Sequence, residues 1–181
     1  MKRQALESVL QTLDKQQQFV FSASELYRWF ETEPLKTFKE SLTRHLKNGL
    51  LEHACRGVYW DPRARSKDAY LLEHIAKTLR VGEYNYVSLE SLLSEAGVIS
   101  QVPLSRLTVM TTGRSQTFKT PYGTIEFTHT DKSIIEILKG TVKLSYRPLR
   151  VAKVQTAIKD LKRVNRNVHL IDKDAVDDLE V

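Results

Sequence analysis

The stretch 34-PLKTFKESLTRHLKNGLLEHACRGVYW-60 decides how the first third of the chain is read. Leu35, Phe38, Leu42 and Leu46 recur at helical spacing, which predicts an amphipathic helix from about Pro34 to Asn48 with one apolar stripe. Pro34 stands where a helix starts without needing its own N–H, and Gly49 where a helix stops. Lys36, Lys39, Thr43 and Lys47 occupy the polar side, with Arg44 at its shoulder and Glu40 the only acid among them. Beyond Gly49, Leu50–Cys55 and Val58–Trp60 read as two short strands around an Arg56-Gly57 turn. His45 falls near the inner edge of the helix. Cys55 reads as a small core residue, and His53, two positions earlier, is expected on the same strand face.

Upstream of this stretch, Leu6, Val9, Leu10 and Leu13 mark a first helix over about Lys2–Asp14. Phe19-Val20-Phe21 is a short apolar entry, and Ser22 with Glu25 forms a capping box for a second helix that should bury Leu26, Trp29 and Phe30. Three helices closed by a hairpin is the order of a winged helix-turn-helix. A helix fits the major groove, and cations along it neutralise phosphates on either side. On this reading Lys36, Lys39, Lys47 and Arg56 contact phosphate, while Thr43 and Arg44 reach base edges. The alternative is a winged-helix protein-interaction module whose basic C-terminal helix clamps an acidic partner, without specific DNA binding.

Residues 62–67 (PRARSK) form a polar hinge, which predicts domains at 1–65 and 66–181. The second part reads as mixed α and β, so the chain as a whole is predicted to be α+β. A helix is expected near 67–79, and another from a Ser88 cap through Ala96. Strands are expected at 107–112, at 123–130 and around Val142, Leu144 and Tyr146, with a helix at 134–140 between the last two. A basic helix is predicted over about 150–165, followed by a last strand at Val168 and Leu170. His129 alternates with Ile125 and Phe127, which predicts a hydrogen-bonded core histidine.

Charge is concentrated locally. Residues 141–169 hold eight Lys and Arg against Asp160 alone, and the last twelve residues hold five acids against Lys173. The whole chain has 181 residues and a net charge of +6. Lys143, Arg147, Arg150, Lys153 and Lys159 are the candidate second basic surface, which the acidic tail could cover by folding back on 159–166. One Cys, 7 Gly and 5 Pro rule out a disulfide framework, a Cys-rich zinc module and a low-complexity chain. No apolar run is long enough for a membrane span and the first residues do not read as a secretory leader, so a soluble cytoplasmic protein is expected.

The chemistry-bearing motifs are sparse. There is no Gly-rich nucleotide cradle, and Asp172-x-Asp174 lacks the Gly-Ser pair of a nucleotidyltransferase. One His and one Cys cannot complete a zinc site. Ser115, beside Arg114 in the turn Thr-Gly-Arg-Ser, is a weak phosphate-site candidate. No catalytic residue, metal or cofactor is predicted, and the chain is read as a non-enzyme.

Leu50-Leu-Glu52 and Arg56-Gly-Val-Tyr59, then Tyr86-Val-Ser-Leu-Glu-Ser-Leu-Leu-Ser-Glu-Ala-Gly97, resemble the antitoxin of AbiE-type (type IV) toxin–antitoxin systems, which act in abortive infection against phage. Thr111–Ser115, Gly123–His129 and Thr156-Ala-Ile-Lys-Asp-Leu161 continue the likeness across most of the chain, although Lys159 departs from the common form of the last motif. The resemblance implies a winged helix that represses its own promoter at inverted repeats. It also implies a C-terminal domain that counteracts a nucleotidyltransferase toxin, without direct contact being required, and a possible homodimer on DNA.

Overall fold

A computed structural model describes residues 1–100, 105–172, 175 and 176. Of the tail 172–181 only Asp172, Ala175 and Val176 are described, and its suggested contact with 159–166 lies outside the described residues. The fold is α+β, with seven α-helices and two sheets among the described residues. The chain divides into two compact units, Met1–Leu79 and Arg80–Val181.

The first unit runs α1 (Arg3–Lys15), β1 (Val20–Ser22), α2 (Ala23–Arg28), α3 (Leu35–Lys47), β2 (Glu52–Cys55), β3 (Val58–Trp60) and α4 (Leu71–Leu79). Helix α2 starts at the expected capping box: Glu25 N donates to Ser22 Oγ at 3.1 Å, and Ser22 N donates to Glu25 Oε2 at 2.7 Å. Gly49 follows α3 at φ +66°, where a Cβ would be strained. The short apolar entry turns out to be a strand. β1 pairs antiparallel with β3, giving a sheet of order β1-β3-β2.

Leu6, Leu10, Leu26, Phe38 and Leu42 form the core under α1–α3. Trp29 and Leu35, both expected inside, are each 48% exposed. Trp29 is the C-cap of the six-residue α2, so the chain leaves the helix before this side chain can turn inward. Helix α4, expected beyond the hinge, packs on β1 and β3 of the first unit. Its His74 ring lies 4.4 Å from that of Phe19.

In the second unit, β4 (Asn85–Val87), β5 (Arg106–Thr111), β6 (Gln116–Thr120), β7 (Gly123–His129), β8 (Thr141–Lys143) and β9 (Arg150–Ala152) form one mixed sheet of order β6-β7-β5-β4-β9-β8. β5 and β7 run parallel, as do β4 and β9. Helices α5 (Leu89–Glu95), α6 (Ile134–Gly140) and α7 (Val154–Arg163) complete the unit. Tyr86, Leu89, Leu93, Met110, Ala157 and Leu161 are among the residues of its core.

Several local expectations are corrected here. Arg150–Ala152, expected to open a helix, is strand β9, held between β4 and β8; Lys153 is then the N-cap of α7. The strand expected through Tyr146 ends at Lys143, and Val168–Leu170 is a 3-10 turn. Ser88 does not cap α5, because its hydroxyl is turned to Asp160.

Candidate nucleic-acid interface

Helix α3 buries Phe38, Ser41, Leu42 and His45. At about 100° per residue, the line opposite that buried set is Lys36, Glu40, Thr43 and Lys47, all exposed. Lys39 lies on one shoulder and Arg44 on the other. None of Lys36, Lys39, Lys47 and Arg56 makes an ion pair among the described residues. Lys36 to Lys47 spans about 16 Å of helix axis at the usual rise, and the helix diameter of about 10–12 Å suits a major groove roughly 12 Å wide. Thr43 Oγ1 donates back to Lys39 O at 3.0 Å, which leaves its methyl and an oxygen lone pair for a ligand.

Arg56 is exposed at the β2–β3 tip beside Gly57, whose φ of +77° makes the tight turn. Ala23 N donates to Gly57 O at 2.9 Å, fixing that tip to the start of α2. The five ridge and shoulder positions Lys36, Lys39, Thr43, Arg44 and Lys47 thus share one exposed side of α3. Arg44 differs from the rest: its Nη2 donates to Met1 O at 3.1 Å and lies 3.4 Å from Ser41 Oγ. In the free protein it clamps α3 to the chain start. Glu40, passed over in the sequence as a stray acid, stands at the centre of the ridge. Helical phase alone was the signal that could have placed it.

The hairpin corrects one pairing. The register between β2 and β3 shifts between His53 and Cys55, so His53 is exposed while Cys55 is buried. Burial pushes the Cys55 thiol up, the opposite of an activated nucleophile. His45 is buried as expected, with Nε2 3.3 Å from Met1 O.

The five residues of the second basic surface do not form one open face. Arg147 is only 4% exposed, and its Nη1 holds both oxygens of Glu95 at 2.7 and 2.9 Å. Arg150 donates to Thr141 Oγ1 at 2.7 Å and to Thr141 O at 3.1 Å. Lys143 Nζ reaches the carbonyls of Arg147 and Pro148. These three brace the β8–β9 corner. Lys153 and Lys159 stay exposed.

Sequence reading also missed a buried centre. Asp160 is 0% exposed and accepts from Tyr86 Oη at 3.0 Å, Ser88 Oγ at 2.9 Å and Lys132 Nζ at 2.6 Å. Burial, together with the Asp160 carboxylate, pushes the Tyr86 phenol well above its ordinary range. Asp160 falls in the same helical phase as Ala157 and Leu161, and an acid on an apolar stripe was the available clue.

His129 is a correction as well. It is 46% exposed at the end of β7 and hydrogen-bonded at both ring nitrogens, to Gly113 O and Asp131 Oδ1. Among the described residues no group of three or more His, Cys, Asp and Glu could hold a metal ion, and no helix is long and apolar enough to cross a membrane. No family model matches the chain, and no curated protein matches it in sequence.

Proposed function

We propose that the chain is a duplex-DNA-binding autorepressor whose first unit is a winged helix-turn-helix, with α3 as the recognition helix and the β2–β3 hairpin as the wing. The observation that carries the reading is the unpaired cationic ridge of α3 with Arg56 at the hairpin tip. A further support is the order of three helices followed by a hairpin whose sheet recruits β1. Lys36, Lys39, Lys47 and Arg56 neutralise phosphates, and Glu40 and Thr43 face base edges. Arg44 joins them only by releasing Met1.

The second unit supplies the antitoxin activity of an AbiE-like operon, counteracting a nucleotidyltransferase toxin. This half of the proposal rests on the resemblance of residues 86–97, 111–115, 123–129 and 156–161. DNase footprinting of the chain's own upstream region tests the first half: protected inverted repeats are expected, with half-sites roughly 34 Å apart or a multiple of that. Uniform cleavage across the promoter overturns it. Co-expression with an AbiE-type nucleotidyltransferase toxin tests the second half: growth is rescued if the proposal holds and lost if it fails.

The exposed Leu35, on α3 itself, favours a second reading in which α3 docks an acidic protein. Under that reading a scrambled duplex competes as well as the promoter does.

A further inference from the structure

The parallel strands β5 and β7 end side by side at Thr111 and His129. Crevices outside the carboxyl ends of parallel strands are where open α/β sheets take ligands. Here that end opens onto a cleft of about 820 Å³, whose lining includes Arg80, Glu83, Thr112, Arg114, Gln116 and His129. Three of these six are basic and one is acidic.

Each basic group is held differently. The Arg80 guanidinium lies 5.0 Å from the Phe127 ring centre, and its Nη2 donates to Arg114 O at 2.9 Å and Gln116 Oε1 at 3.2 Å. Stacking, two hydrogen bonds and the Glu83 carboxylate 4.0 Å from its Nη1 fix its orientation before any ligand arrives. His129 has Nδ1 2.7 Å from Gly113 O and Nε2 2.7 Å from Asp131 Oδ1. A carbonyl and a carboxylate only accept, so both contacts together are made by the doubly protonated ring and favour the imidazolium. The same two contacts, Gly113 first, hold its pKa above the ordinary histidine value. With both nitrogens occupied, His129 contributes charge and not proton transfer.

The Arg114 side chain is exposed and makes no hydrogen bond or ion pair among the described residues. The Glu83 carboxylate is occupied at the base of the cleft. It accepts from Thr111 Oγ1 at 3.1 Å and sits so close to Gly113 that a Cβ there would collide with it. The other charged neighbours of His129 are Asp131 on the segment after β7 and Arg163 of α7, whose Nη2 donates to His129 O at 3.3 Å.

We infer that this cleft is a phosphate-binding site, in which Arg114 closes over an anion already facing Arg80 and the His129 imidazolium. The ligand class is a phosphate group on a nucleotide or on a single nucleic-acid strand. Two fixed cations, a net positive charge and the uncommitted guanidinium of Arg114 suit a phosphate, and the cleft does not depend on the α3 reading.

The test is an NMR titration of the full-length chain, following the His129 ring resonances, which are assigned among the five histidines by His129→Gln. The probes are adenosine monophosphate and a short single-stranded oligonucleotide. Saturable shifts of His129 are expected with one or both. Arg114→Gln, at an exposed position, should weaken the response about tenfold or more, and affinity should fall as pH rises and the ring deprotonates. Response to the mononucleotide identifies a small ligand, and response to the oligonucleotide alone identifies a strand. No shift with either probe, or an equal response in Arg114→Gln, overturns the proposal and leaves the α3 assignment untouched.

Discussion

Asp160→Ala is a severe single change in this structure. The wild-type carboxylate is fully buried and is met by two hydroxyls and the Lys132 ammonium, the last at 2.6 Å. Truncation leaves Tyr86 and Ser88 as buried donors without their acceptor and strands a cation that is itself only 21% exposed. Breaking a buried pair from one side costs about 3–5 kcal/mol. With a urea slope of roughly 2 kcal/mol per molar, the unfolding midpoint should fall by about 2 M, followed by circular dichroism. Asp160→Asn keeps the shape and one acceptor but not the charge, so its loss should be intermediate. Lys132→Met should be costly in the wild type and much milder in the Asp160→Ala background, because the stranded ammonium is then absent. An Asp160→Ala cost below about 1 kcal/mol would refute the reasoning, as would an equal Lys132→Met cost in both backgrounds.

Three further predictions follow from the α3 ridge and the β7 terminus. Lys36→Ala and Lys47→Ala should each weaken promoter and scrambled duplex alike and flatten the slope of log affinity against log salt by about 0.9; an unchanged slope removes that lysine from the phosphate contacts. Glu40→Gln should strengthen binding to scrambled duplex, since a carboxylate repels phosphates. It should also reduce discrimination at one base pair, where the carboxylate would accept from cytosine N4; selection from a randomised operator reads both effects. The folded pKa of His129 is raised, so its tie to Asp131 is complete below the ordinary value of 6.5 and is lost as pH rises through the higher folded value. A pH titration of its ring resonances should place the midpoint above those of solvent-exposed histidines, and a midpoint at or below 6.5 contradicts the two-acceptor geometry.

What the sequence disclosed was what local chemistry determines. The capping box at Ser22 and Glu25, the stripe of α3 and the stop at Gly49 are written within a few residues each, and they gave the helices nearly to the residue. Arg150–Ala152 was misread because three residues ahead of a helical pattern take their identity from β4 and β8 on either side. The His53–Cys55 bulge likewise depends on β3. Arg147 looked like an exposed cation because nothing nearby in sequence announces Glu95 as its partner. The α3 ridge was legible apart from the place of Glu40 and the tether on Arg44. The cleft was barely so: Thr-Gly-Arg-Ser hinted at it, but Arg80, Arg114 and His129 come from distant parts of the chain and meet only at the ends of β5 and β7.

The central claim is that the first unit discriminates between DNA sequences, and competition binding at about 150 mM salt measures this directly. Labelled upstream-promoter duplex is displaced from the full-length chain by unlabelled promoter or by a scrambled duplex of equal length. The account predicts that the promoter competes at least about a thousandfold better. Equal competition by the two duplexes would contradict it.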